Sequence, residues 1–144
     1  MRKLAILISA LVAMVASPAL AEIGRIKNAT QGTVTVIRGG KTLAAKPGFK
    51  LEEGDAISTK AGQRVGITFI DDTRMAVGPN SRITLDEYKY DRTRQTGRSL
   101  TRVNRGSLGV DSGNITRNGR DKMRVRTPTS TLGVRGTTFV VEVK

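Results

Sequence analysis

With 144 residues and no His, no Cys and no Trp, the chain excludes a Ser–His triad, a cysteine nucleophile, a thiolate zinc site and a disulfide framework. The length suits one domain with a modest core, and aromatics at only 3% leave that core to Val, Ile and Leu. The formal charge of +13 points toward anionic partners and away from self-association. Most of the excess lies in one segment: residues 92–126 carry 10 basic and 2 acidic side chains, whereas residues 22–91 carry 11 and 9.

Arg2 and Lys3 precede an apolar run over 4–16, Ser17-Pro18 breaks it, and Ala19-Leu20-Ala21 is a small-x-small cleavage pattern. This three-part arrangement predicts a secretory signal peptide over 1–21 and a mature domain over 22–144. The run is short of the roughly 20 residues a membrane span requires, and no transmembrane segment is expected in the mature chain. A periplasmic or secreted location follows.

Residues 22–31 read as a lead-in. Gly32-Thr33-Val34-Thr35-Val36-Ile37 alternates as a strand, and Arg38-Gly39-Gly40-Lys41 is a hairpin turn whose glycines supply positive φ. A return strand runs through Leu43, and Lys46-Pro47-Gly48 turns the chain again. Glu52, Glu53 and Asp55 surround Gly54, but they lack the alternating oxygen ligands of a calcium loop. The reading is a solvated turn before a strand over 56–59, with no metal and no cofactor.

The strand over 63–70 directs Val65, Ile67 and Phe69 to one side. Asp71-Asp72 is read as a two-residue turn into a strand with Met75 and Val77 inward. Gly78-Pro79-Asn80-Ser81 is a strong turn before a strand with Ile83 and Leu85 inward. Tyr88 and Tyr90 alternate beyond it, and residues 91–98 read as a polar loop. Two further strands are expected, over 100–105 and 106–110. Asn118-Gly119 is read as a hairpin joining 113–116 to 123–126, with Met123 and Val125 inward. At the end of the chain, Phe139, Val141 and Val143 fall on one face and Thr138, Val140 and Glu142 on the other.

No sustained helical period appears. The fold class is all-β: a single antiparallel sandwich or rolled sheet of about nine or ten short strands.

The stretch Thr127-Pro128-Thr129-Ser130-Thr131-Leu132-Gly133-Val134-Arg135-Gly136-Thr137-Thr138-Phe139-Val140-Val141 resembles the closing motif of the FecR domain, a periplasmic all-β domain. The run from Gly78 to Asp86 resembles the family's central motif, and the likeness extends over roughly 30–143. Asp72 stands where the family pattern usually has Gly. The resemblance makes Thr127, Pro128, Gly133, Arg135, Gly136, Thr137 and Phe139 structural motif residues. Arg135, between Val134 and Gly136, is expected to make a structural hydrogen bond whose loss lowers the melting temperature.

Catalysis finds no support. Asp71-Asp72 and Asp86-Glu87 are adjacent pairs, and neighbouring strand residues point to opposite faces. Nucleic-acid binding is not expected, because an export signal and a shortage of stacking aromatics oppose it. The resemblance implies a noncatalytic module in the cell envelope and points to a signal-sensing system. Regulators of that family contact a sigma factor through a cytoplasmic segment, but only residues 1–3 precede the apolar run, so no direct sigma-factor contact is expected. The partner is read as an envelope protein, or alternatively as an anionic glycan, lipopolysaccharide or lipid. For that second reading the candidate surface is Arg92, Arg94, Arg98 and Arg102, joined by Arg124 and Arg126.

Overall fold

The computed structural model describes residues 20–119, 121–136 and 138–144, so residues 1–19 of the leader expected over 1–21, together with Arg120 and Thr137, fall outside the description. Twelve strands form: β1 (Glu22–Ala29), β2 (Val34–Arg38), β3 (Lys41–Ala45), β4 (Lys50–Glu52), β5 (Ala56–Ser58), β6 (Val65–Phe69), β7 (Arg74–Val77), β8 (Arg82–Asp91), β9 (Thr96–Asp111), β10 (Met123–Arg126), β11 (Thr131–Val134) and β12 (Thr138–Val143). The all-β expectation holds. The count exceeds nine or ten because the lead-in and two short segments also find ladders: β1 pairs with β4 and β6, and β11 with β10. Among the described residues no helix is long and apolar enough to cross a membrane.

The strands form one curled sheet, ordered β3-β2-β5-β8-β9-β7-β6-β1-β4, with β10 and β12 also on β9. Its axis is β9. The first half of β9 pairs with β8 and β10, and the second half with β7 and β12. All pairings are antiparallel except β9 with β10. Alternation along the strands sends Val34, Val36, Val65, Ile67, Phe69, Met75, Val77, Ile83 and Leu85 into one core, where they join Ile26, Leu51 and Ile57. Each such side chain contributes on the order of 1.5–3 kcal/mol of burial. Phe69 and Tyr88 stack with centroids 5.2 Å apart.

The expected pair of strands over 100–105 and 106–110 is instead the single strand β9, bent at Gly106. There φ is +84°, and a Cβ would stand 2.1 Å from the Ser81 hydroxyl oxygen, so only glycine fits. The 78–81 turn is the matching part. Ser81 Oγ accepts the Ser107 amide at 2.9 Å and donates to the Pro79 carbonyl at 3.0 Å, while Thr59 Oγ1 donates to the Gly78 carbonyl at 2.6 Å.

Two other expectations are corrected. Residues 114–116 form a 3-10 turn rather than a hairpin arm, and β10 lies parallel to β9. The Asp71 carboxylate and carbonyl accept the Ile115 and Asn114 amides, and this holds the segment away from a ladder. The turn at 71–72 is a three-residue loop over 70–72: the Asp72 amide donates to the Phe69 carbonyl at 3.1 Å, and Asp72 itself takes φ +69°. This is a type I turn followed by a left-handed residue, with Asp doing what Gly does elsewhere.

Candidate partner-binding surfaces

The carboxylates of the first half of the chain are structural. Asp55 is buried, so the expected solvated turn at 52–55 is corrected. Its two oxygens accept Nε and Nη2 of Arg38, both at 2.8 Å, and Oδ2 also accepts the Glu52 amide at 2.9 Å. Arg38 continues to the Lys50 carbonyl at 3.0 Å and lies 5.4 Å from the Phe49 ring centre. The hydrogen bond to Asp55 raises the Arg38 pKa against an opposing effect of burial. The neighbouring Glu53 accepts the Tyr88 amide at 2.9 Å and pairs with Lys89 at 3.1 Å. Burial pushes the Glu53 carboxyl up, but those two donors outweigh it and its pKa falls below the usual value.

Asp71 is also buried, and here the donors are uncharged hydroxyls and amides. The Tyr88 and Thr73 hydroxyls each donate at 2.6 Å, and the Ile115 amide at 3.0 Å. Burial first, then the Asp71 carboxylate, raise the Tyr88 pKa, so the phenol remains protonated. Among the described residues no cluster of three or more carboxylates could hold a metal ion.

The predicted arginines separate into two groups. Arg92 and Arg94 are exposed on the β8–β9 turn, where Asp91 accepts the Thr93 and Arg94 amides and lies 3.9 Å from the Arg94 guanidinium. Arg98 and Arg102 on β9 share an outer face with Arg124 and Arg126 on β10, and Arg126 stands beside Arg102 in the ladder. Much of this charge is already balanced. Arg98 pairs with Glu87, and Arg102 with Asp86 at 2.7 Å. A register shift between Leu85 and Glu87 makes this possible. The bulge places Asp86 and Glu87 side by side on the outside and returns Tyr88 to the core, which overturns the expectation that the two carboxylates point to opposite faces. Arg124 and Arg126 have no ion pair among the described residues.

The closing motif lies at the sheet's margin. Thr127 and Ser130 close the β10–β11 turn through the Thr127 amide at 2.8 Å and the Ser130 amide at 3.0 Å, with exposed Pro128 between them. At Gly133 a Cβ would stand 2.3 Å from Asp121 Oδ1, the tip of an exposed side chain. Gly136 has φ +57° where the chain crosses from β11 to β12. Phe139 packs half-buried against the core. Arg135 is exposed, and its guanidinium has no hydrogen-bond or ion-pair partner among the described residues.

Beyond this crossing, β12 pairs among the described residues only with β9, so its other side is an open edge there. Three more strands have a single neighbour: β3, β4 and β11. Those three have five, three and four residues; β12 has six. β3 and β4 each begin with an edge-protecting lysine, Lys41 and Lys50. Between Thr138 and Val143 the only charge is Glu142, and Val140 stands 74% exposed on the outer face. The alternation of Val140 with Phe139 and Val141 was visible in the sequence. Its place at an unguarded edge was not, because edge status depends on the partners that other strands find.

These features define an all-β domain whose buried aspartates, Asp55 and Asp71, serve its own loops and turns and whose distinctive surfaces are a sheet edge and arginine-bearing rims. The chain belongs to the FecR family: the family described as FecR protein matches residues 55–144, beginning at the Asp55 that clamps Arg38. The match starts later than the likeness read from strand and turn patterns, so β1 to β4 stand outside it. This family is envelope-associated and regulatory rather than enzymatic, and its domains occur in signal-transduction systems. No curated protein and no solved structure matches the chain.

Proposed function

We propose that this protein is a noncatalytic, exported binding module of the cell envelope, with a leader over 1–21 and a mature domain over 22–144, and that it recognises a partner protein by accepting an extended strand along β12. The observation that supports this most is the open, six-residue edge of β12 with Val140 exposed beside it. An added strand gains main-chain hydrogen bonds from the edge and side-chain specificity from Thr138, Val140 and Glu142. Such a module suits a signal-sensing system, where the partner's bound state is reported through a contact rather than a reaction.

A second reading, an anionic envelope polymer on the arginine face, draws on Arg124 and Arg126 beside Arg102. The ion pairs of Arg98 and Arg102 weigh against it, because a polyanion must compete with carboxylates already in place. The two readings differ in salt dependence. Envelope extract is passed over the wild-type protein, Val140→Lys and Arg124→Ala/Arg126→Ala at low and high salt. Strand addition predicts a discrete protein retained at high salt, lost with Val140→Lys and kept with the double arginine variant. Binding that disappears at high salt and follows the arginine variant would sink the strand-addition reading.

A further inference from the structure

A cleft of about 440 Å³ opens where three parts of the chain converge: the end of β9 at Asp111, the 3-10 turn with Arg117 just beyond it, and the β11–β12 crossing at Arg135 and Gly136. Its walls are largely polar, with Asn114, Thr116 and Thr138 among them. Arg117 and Arg135 are both exposed, and neither guanidinium has an ion pair among the described residues. Some arginines elsewhere find carboxylates, as Arg25 does with Glu22, Arg38 with Asp55, Arg98 with Glu87 and Arg102 with Asp86, while others, Arg124 and Arg126 among them, have no ion pair among the described residues. The contrast is clearest in the cleft lined by Arg25 and Arg92, where Glu22 is already present between the strands and bonded to Arg25.

The carboxylate in the Arg117–Arg135 cleft is differently engaged. Asp111 accepts the Thr138 hydroxyl at 3.1 Å through Oδ1, and neither guanidinium lies within ion-pair reach of it. The backbone leaves the space open. Gly113 packs so closely that a Cβ would stand 2.3 Å from the Asp71 carbonyl, and the Asp71 bonds to residues 114 and 115 hold the turn in position. The wall is therefore fixed by the buried network, while the two guanidiniums on it have no ion pair among the described residues.

We infer that this cleft binds a phosphoryl group, with Arg117 and Arg135 as its two cationic arms. Guanidinium forks match phosphoryl oxygens in pairs, and two of them balance the two charges of hydrogen phosphate. Asp111 sharpens the choice of anion. A carboxylate repels a fully deprotonated oxyanion but accepts a hydrogen bond from a P–OH, which hydrogen phosphate has and sulfate lacks. Arg135 then has a binding role in place of the structural one that the closing motif suggests. The inference does not depend on strand addition at β12, although Thr138 lies at the border of both regions.

The test is a titration of the purified protein with inorganic phosphate, glucose 1-phosphate and sodium sulfate, followed by amide NMR shifts. Vesicles containing phosphatidylglycerol form a separate arm that reports on a lipid headgroup source. Saturable shifts confined to residues 111–117 and 134–138 are expected with phosphate, with sulfate weaker by about tenfold. Arg117→Ala/Arg135→Ala should weaken phosphate binding about tenfold or more, while Arg124→Ala/Arg126→Ala changes it less than about twofold. Melting curves without phosphate should coincide for wild type and Arg135→Ala, which separates a binding role from a folding one. Shifts spread over all the arginines, or an affinity that the Arg117→Ala/Arg135→Ala variant leaves intact, overturn the inference.

Discussion

The two halves of β9 are built from one continuous strand and are finished in opposite ways. The first half, Thr96 to Arg105, has a neighbour on each side and carries arginines on its outer face, two of them neutralised by Asp86 and Glu87. The second half, Gly106 to Asp111, also has two neighbours, but one of them, β12, is itself the unguarded end of the sheet. Charge is spent internally where it is most abundant, and main-chain hydrogen-bonding capacity is left open where charge is scarce. A basic segment in the sequence is therefore a poor guide to the binding surface of this domain, since the same β-bulge that exposes Asp86 and Glu87 brings them to Arg102 and Arg98.

The comparison can be broken most severely at Asp71, which braces the second half through Thr73, Tyr88 and Ile115. Asp71→Ala leaves two hydroxyls and two amides without their acceptor in the interior and should cost on the order of 3 kcal/mol or more in urea unfolding. A loss below about 1 kcal/mol would show that the network is dispensable. Ser99 sharpens the comparison from the other half. Its hydroxyl is buried without a hydrogen-bond partner among the described residues, so Ser99→Ala should stabilise the protein by about 1 kcal/mol, read from the same denaturation curves. The smallest effect is expected on the arginine face. Arg102→Ala removes a partly exposed ion pair with Asp86 and should change stability by less than about 1 kcal/mol, an effect that shrinks as salt is added.

Much of the framework was legible in residue order. The alternation of Val65, Ile67 and Phe69, the Gly39-Gly40 hairpin and the final strand from Thr138 to Val143 follow from local pattern, because strand period and turn chemistry are short-range properties. What stayed hidden depended on long-range partners. The bulge after Leu85 changes which faces Asp86, Glu87 and Tyr88 occupy, and no local signal marks it. Gly106 was legible as a break but not as a bend within one strand, since the distinction rests on the Ser81 hydroxyl waiting on the facing turn. Asp55 was read as solvated because Arg38, its partner, lies 17 residues earlier. The same limit applies to the candidate surfaces: the arginines were visible as a run, but their neutralisation was not, and neither was the meeting of Arg117 with Arg135 around one cleft.

The most direct test of strand addition is hydrogen exchange on the protein, alone and with the salt-resistant partner bound. In the free protein, amides of β12 that face outward from β9 should exchange quickly while those of β9 are protected. Partner binding should slow the outward amides within 138–143 and leave residues 98–102 and 124–126 nearly unchanged. Protection that appears instead on those arginine-bearing strands, with β12 still exchanging freely, would contradict the account.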